Sequence, residues 1–172
     1  VAGGRLAEHT PPAGSLQADA GFPAILRKMG AKIQEGPGGV TVEGGPVRGI
    51  DADLNAMPDA VPTLAVLACF AEGPTTIRNV PNLRVKESDR IAALARELAK
   101  AGARVEEFPD GLKVVPAPLH GADLLTYNDH RLAMAFALLG LKVPGIRIEN
   151  PGCVAKTYPA FFADLESVCR RE

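Results

Sequence analysis

The sequence predicts an α/β domain built of repeated β–α–β–α–β units, with amphipathic helices packed inside against sheets. Three observations predict it. The segment Leu26–Glu35 is echoed by Leu98–Glu107, with Gly30 and Gly102 lying 72 residues apart. Each copy reads as a helix end, a glycine stop and a strand of alternating apolar residues. The composition, 47% hydrophobic and 23% charged over 172 residues, suits a globular domain with a real core.

The elements follow in order. Residues 1–20, rich in Gly, Pro and Ala, read as a poorly specified strand and loop. A helix over Gly21–Met29 comes next and Gly30 ends it. The strand around Ile33 turns over Gly36–Gly39 and returns as Val40–Val42. An irregular polar stretch leads to a second helix, about Asp59–Ala71, and a strand, Thr75–Arg78. The second copy repeats this order. A helix from about Ser88 carries Ile91, Leu94, Ala95 and Leu98 as its apolar stripe, which is core. Gly102 stops it. A strand around Val105 turns at Pro109–Gly111 and returns as Leu112–Val115. A second irregular stretch precedes a helix over about Asp129–Leu139 and a strand over Ile146–Glu149. A last helix, about Pro159–Cys169, has proline in its first turn, where a fixed φ fits. The repeats span roughly 20–85 and 86–155, and 156–172 begins a third, incomplete one. The whole, 1–172, is expected to form one domain.

A net charge of −1 excludes a general nucleic-acid or membrane-surface binder, so any anion site is a local cluster. Cys69, Cys153 and Cys169 have no metal spacing and read as reduced cytosolic thiols, with Cys153 a small buried filler. His9, His120 and His130 do not group with them. No apolar run has the length of a membrane span and no signal peptide is recognisable. A chain that begins at Val1 on a Gly/Pro-rich stretch reads as a part of something longer.

Four clusters can carry chemistry. Arg84-Val-Lys86-Glu87-Ser-Asp89-Arg90 sets an acid beside a lysine at a helix start, where free N–H groups and the dipole attract anions. Taken alone it reads first as an exposed cap, with Ser88 or Asp89 capping, and the repeat shifts that balance. Tyr127-Asn-Asp129-His130-Arg131 opens another helix. An Asn/Asp cap explains it in part, but Arg131 opposes the dipole there, which suggests an anion between them. In the equivalent place of the first repeat, Asp59 is either a cap or a carboxylate that orients or deprotonates a hydroxyl. Lys156 follows Lys86 by 70 residues and lies in Cys153-Val-Ala-Lys156-Thr-Tyr-Pro159, so both repeats put a lysine on the loop entering the next helix. The residues alone describe a site for a small polyanion with two acid/base carboxylates. They hold no phosphate-binding glycine loop, dinucleotide fingerprint or metal set, so no cofactor is expected.

Asn82-Leu-Arg84-Val-Lys86-Glu87-Ser-Asp89-Arg90, Asn128-Asp-His-Arg131 and Cys153–Pro159, in that order, resemble the EPSP synthase family of 3-phosphoshikimate 1-carboxyvinyltransferases. Ser15–Asp19 and Met57–Ala60 are similar to it as well, so the resemblance covers nearly the whole chain from about residue 15. It implies βαβαββ units arranged as an inside-out α/β barrel, in an enzyme of two domains with the active site between them. This chain resembles the C-terminal portion. The partner domain, and strands from the start of the full chain, are the implied partners, and the implied location is the cytoplasm.

The implied reaction moves the enolpyruvyl group of phosphoenolpyruvate to the 5-hydroxyl of shikimate 3-phosphate and releases phosphate. The resemblance makes Asp59 the carboxylate that binds the shikimate hydroxyls and accepts the proton. It makes Glu87 the acid that protonates the methylene carbon. Asn82 and Lys86 match ligands of shikimate 3-phosphate; Arg90, Arg131 and Lys156 match ligands of phosphoenolpyruvate. Lys86 and Arg90 are expected to hold Glu87 ionised in the empty site. Two other readings remain open at this level: the sister enzyme that acts on UDP-N-acetylglucosamine, and a non-catalytic anion-binding fragment.

Overall fold

The computed structural model describes residues 5–8, 17–36 and 39–169. His9, Ser15 and Leu16, and positions 37–38 of the first hairpin turn, lie outside the described residues. The elements are β1 (Arg5–Glu8), α1 (Phe22–Lys28), β2 (Lys32–Gly36), β3 (Gly39–Glu43), β4 (Asp51–Asp53), α2 (Val61–Ala68), β5 (Thr75–Arg78), α3 (Arg90–Lys100), β6 (Arg104–Phe108), β7 (Gly111–Val115), β8 (Asp123–Leu124), α4 (His130–Gly140), β9 (Arg147–Ile148) and α5 (Phe161–Cys169). Short 3-10 turns at Pro58–Ala60, Pro81–Val85 and Pro151–Lys156 precede α2, α3 and α5.

The two glycine stops are built alike. Gly30 and Gly102 have φ of 99° and 98°. Behind them Ala31 N–H reaches back to the Leu26 carbonyl and Ala103 N–H to that of Leu98, both at 3.0 Å. This paired closure satisfies carbonyls that a helix end leaves open and aims the chain into the next strand. The strand after each stop forms a two-stranded hairpin, β2–β3 and β6–β7, paired antiparallel.

The four-stranded sheet has the order β4-β5-β7-β6, with β4 parallel to β5 and the other pairs antiparallel. Gly111, at the start of β7, lets β5 approach: a Cβ there would collide with the Ile77 carbonyl. A second sheet runs β1-β3-β2, and β8 pairs parallel with β9 in a third. β4 and β8 lie in the stretches expected to be irregular. Each is only two or three residues long, too short for an alternating pattern to show.

Helix α2 packs against both α3 and α4, and the three helices lie on the strands β5, β6, β7 and β9. α2 and α4 are apolar on almost every side, as helices enclosed all round must be. α3 is amphipathic: Ile91, Leu94 and Leu98 are fully buried, while Ala95 is only half-buried. Its buried face also includes Arg90 and Glu97, two charged residues that no apolar stripe explains. Helix starts fall slightly later than the sequence pattern suggests, because a 3-10 turn or a cap takes the first residues. No described helix is long and apolar enough to cross a membrane.

Candidate functional site

The N-terminal ends of α2, α3 and α4 converge, and the charged residues gather there. Asp89 caps α3 by accepting from Ala92 N–H at 3.0 Å. Asp129 caps α4 by accepting from Arg131 N–H at 3.0 Å. Asp59 lies in the 3-10 turn that enters α2. Converging helix N-termini give the site a positive field before any side chain is counted.

Arg90 is the hub. Its guanidinium is 1% exposed and meets three carboxylates. Nε donates to Asp129 at 2.8 Å, Nη1 to Asp59 at 2.9 Å, and Nη2 to Glu87 at 2.9 Å and to Asp129 at 3.2 Å. Burial opposes its charge, but the bonds to Asp129 and the charges of Asp129, Asp59 and Glu87 outweigh that, so its pKa rises above the usual arginine value. Around this hub, Arg131 Nη2 lies 2.9 Å from Asp59 and Lys86 Nζ 3.9 Å from Asp59. Lys156 Nζ donates to Glu87 at 2.7 Å. Six of the seven residues singled out in the sequence therefore join one ion-pair network. The seventh, Asn82, stands apart from it, exposed on the 3-10 turn that leads to Lys86.

The carboxyl of Glu87 is held down to about 2, first by the bond from Lys156, then by its own backbone N–H, with Arg90 adding to both. This bears out the expected part of Arg90 and corrects that of Lys86. Lys86 faces Asp59, and Lys156, distant in sequence, takes the place beside Glu87. Cys153 is also corrected: it is half-buried, since the 3-10 turn buries Val154 instead. His130 is buried, not solvent-facing, and burial lowers its pKa. Its Nδ1 has no hydrogen-bond partner among the described residues.

Asp129 was legible in the sequence only as a cap. Fully buried, it also takes Arg90 in a two-toothed grip and accepts from Ser88 Oγ at 3.1 Å. Nothing in the pattern signals this second role, because the cap alone accounts for an Asp at that position. Arg84, part of the motif but without a role there, binds Asp89, Glu107 and the carbonyls of Phe108 and Pro109. It fastens the Lys86–Glu87 loop to the tip of the β6–β7 hairpin.

Every non-glycine residue with left-handed backbone among the described residues stands ahead of a site segment. Asn79 (φ 63°) precedes the Lys86 loop, Tyr127 and Asn128 (φ 52° and 56°) precede Asp129, and Asn150 (φ 52°) precedes the Lys156 turn. Such strain collects where surrounding structure over-determines a functional geometry. Among the described residues no group of acids, histidines and cysteines could hold a metal ion.

Comparison with known proteins bears on the chain as a whole. The sequence model of the family described as EPSP synthase (3-phosphoshikimate 1-carboxyvinyltransferase) matches residues 2–165. The chain is 51% identical over 155 residues to the 3-phosphoshikimate 1-carboxyvinyltransferase of Proteus mirabilis, with 90% of this chain and 36% of that protein covered. It is 48% identical over 163 residues to that of Nostoc punctiforme, covering 94% and 38%. Among solved structures, the EPSP synthase of Acinetobacter baumannii superimposes with a TM-score of 0.78 at 29% identity, over 87% of this chain and 39% of that one. The enolpyruvyl transferase NikO of Streptomyces tendae superimposes with a TM-score of 0.70 at 28% identity, over 86% and 34%. The chain thus spans well under half the length of the relatives it matches.

Proposed function

The chain belongs to the EPSP synthase family, and from that premise we propose that it forms one wall of an active site that transfers the enolpyruvyl group of phosphoenolpyruvate to the 5-hydroxyl of shikimate 3-phosphate. One observation carries the reading. Two carboxylates, Asp59 and Glu87, share the buried Arg90, and each is also gripped by a cation from another loop. Such a site links its acid and its base through one arginine and has cations ready for a polyanion.

The chemistry follows from those contacts. In the addition step the 5-hydroxyl oxygen bonds to the substituted alkene carbon of phosphoenolpyruvate. Its proton passes to Asp59, and Glu87 gives a proton to the methylene carbon. In the elimination step the bond to the phosphate oxygen breaks and the new methyl group returns a proton, which restores the double bond. Arg90, Arg131 and Lys156 grip phosphoenolpyruvate; Lys86 and Asn82 grip shikimate 3-phosphate. Four cations, Lys86, Arg90, Arg131 and Lys156, face three carboxylates, so their excess offsets only part of the ligands' negative charge. Incoming anions compete with Asp59 and Glu87 for the cations. Asp59 is thereby freed as a base, and the pKa of Glu87 climbs towards a value at which it can donate.

The chain is a single domain of two repeats and part of a third, drawn from one half of the enzyme. The other half is its partner in a cytoplasmic two-domain protein without a cofactor. β9 has β8 on one side and, among the described residues, no strand on the other. Phe161, Phe162 and Leu165 of α5 are only half-buried as well. The rest of the enzyme docks on these two surfaces.

Mixing the chain with the remaining part of the enzyme and assaying phosphate release tests the reading. Turnover should appear only with both parts and both substrates, and Asp59→Asn and Glu87→Gln should each lower it by about a hundredfold or more. Full turnover by either variant, or by the 172-residue chain alone, would sink it.

A further inference from the structure

Glu97 has no place in the chemistry just described, yet it is fully buried on α3, two turns beyond Arg90 on the same face. A buried carboxylate survives only if its lone pairs are satisfied. Here they are. Oε1 accepts from the Tyr127 hydroxyl at 2.7 Å; Oε2 accepts from Leu125 N–H at 2.9 Å and from Lys100 Nζ at 2.7 Å. Arg96 Nη1 reaches the Tyr127 oxygen at 3.3 Å from the outside. Burial and the bond to Glu97 push the Tyr127 phenol up, so it stays a donor.

Leu125 and Tyr127 belong to the turn that delivers Asp129 and Arg131. Tyr127 and Asn128 are both left-handed, a conformation that L-residues other than Asn and Asp seldom adopt. Asp129 N–H closes the turn on the Thr126 carbonyl at 2.8 Å. Asn128 Oδ1 accepts from Asn150, which leads the Lys156 turn. A turn of this kind needs an outside hold.

We propose that Glu97 is a positioning residue for the anion-gripping end of the site: with Arg90 it makes a two-point hold on residues 125–131, fixing the left-handed turn from which Asp129 and Arg131 project. Arg90 takes the acid at the far end of the segment and Glu97 takes the phenol and amide at the near end. The two points lie on one rigid helix, so the spacing between Arg90 and Arg131 is set by α3. This inference rests on the proposed function only in assigning Arg90 and Arg131 to phosphoenolpyruvate.

Tyr127→Phe removes one hydroxyl and keeps the ring; Glu97→Gln keeps the shape and removes the charge. Both are made in the complete enzyme and read in two ways. In amide exchange, Arg131 N–H, which bonds to Asp129, should exchange about five- to tenfold faster in Tyr127→Phe, the range expected for one lost hydrogen bond. Amides of α2 should keep their wild-type rates. In kinetics, KM for phosphoenolpyruvate should rise by a similar factor, while KM for shikimate 3-phosphate changes less than about twofold, because Lys86 is held by a different loop. Unchanged Arg131 exchange in Tyr127→Phe overturns the proposal, as does equal loosening of α2, which would mark Glu97 as general scaffold. If wild-type enzyme shows no turnover of these substrates, the functional reading fails and the exchange result still decides the role of Glu97.

Discussion

The loops carrying Lys86 and Lys156 start alike and are held differently. Each leaves a strand through a left-handed asparagine, opens a 3-10 turn with proline, and ends on a lysine facing a carboxylate. The Lys86 loop is latched to a neighbouring hairpin. Arg84 spans to Glu107, Phe108 and Pro109, while Asn79 and Val80 donate backbone N–H groups to Asp110. Val154, 70 residues after Arg84, stands in its place on the second loop and is buried against α4. No hairpin flanks that loop among the described residues. One loop is thus fixed by polar contacts within its own unit. The other relies on an apolar anchor and on Lys156 reaching across to Glu87.

The largest effect should come from cutting the polar latch. Arg84 is only 27% exposed on its side chain and makes four hydrogen bonds, two of them ion pairs. Arg84→Ala should destabilise the chain by about 2–4 kcal/mol, since carbonyls and carboxylates lose a charged donor together. Urea unfolding measures it. A cost below about 1 kcal/mol would mean that Leu83, buried beside it, fixes this loop, and the contrast would collapse. Val154→Ala should cost less, about 1–2 kcal/mol, for two buried methyl groups and the gap they leave. If it cost more than the arginine, the apolar anchor would be the stronger hold.

The fold was legible where a pattern runs long enough. Gly30 and Gly102, with the apolar alternation after them, marked the hairpins. Ile91, Leu94 and Leu98 marked α3. Short β4 and β8 carried no periodic signal and emerge only from pairing with β5 and β9. At the candidate site, charge type and position drew attention to Asp59, Glu87, Arg90 and both lysines, but not to who pairs with whom. Lys86 is Glu87's neighbour in sequence, yet a side chain at a turn points where its backbone sends it. Glu97 was invisible for a related reason: a glutamate on an amphipathic helix reads as solvated, and only the partner segment reveals what buries it.

The pairing of Glu87 with Lys156 gives a smaller, sharper test of how the loops are coupled. The Glu87 carboxyl sits at about 2, below its ordinary value, so its contribution to stability is present above roughly pH 4.3. It is lost as pH falls through about 2. Glu87→Gln should therefore flatten part of the acid limb between those values in a stability–pH curve. Lys156→Ala should raise the Glu87 pKa in a carboxyl-carbon NMR titration, and Lys86→Ala should leave it nearly where it is. Equal shifts in the two variants would show that the loops share their cations and that the division drawn here is false.

The smallest effect concerns the left-handed asparagines themselves. Glycine at either place relieves the backbone but loses the side-chain bond and loosens the unfolded chain, at about 0.4–1 kcal/mol for the last term. At Asn79 the lost bond is to Asp53, at 2.9 Å, within a turn whose backbone N–H also binds Asp110. At Asn150 it is a single exposed contact to Asn128, at 3.2 Å. Asn79→Gly should thus cost about 0.5–1 kcal/mol, whereas Asn150→Gly should stay within about 0.5 kcal/mol of wild type, because relief and loss nearly cancel. Thermal or urea melts of the pair resolve the ordering even where the absolute values are small. If Asn150→Gly were the costlier change, the second loop would be held locally by its asparagine as firmly as the first is by its hairpin. Lys156 would then be fixed in place before it ever meets Glu87.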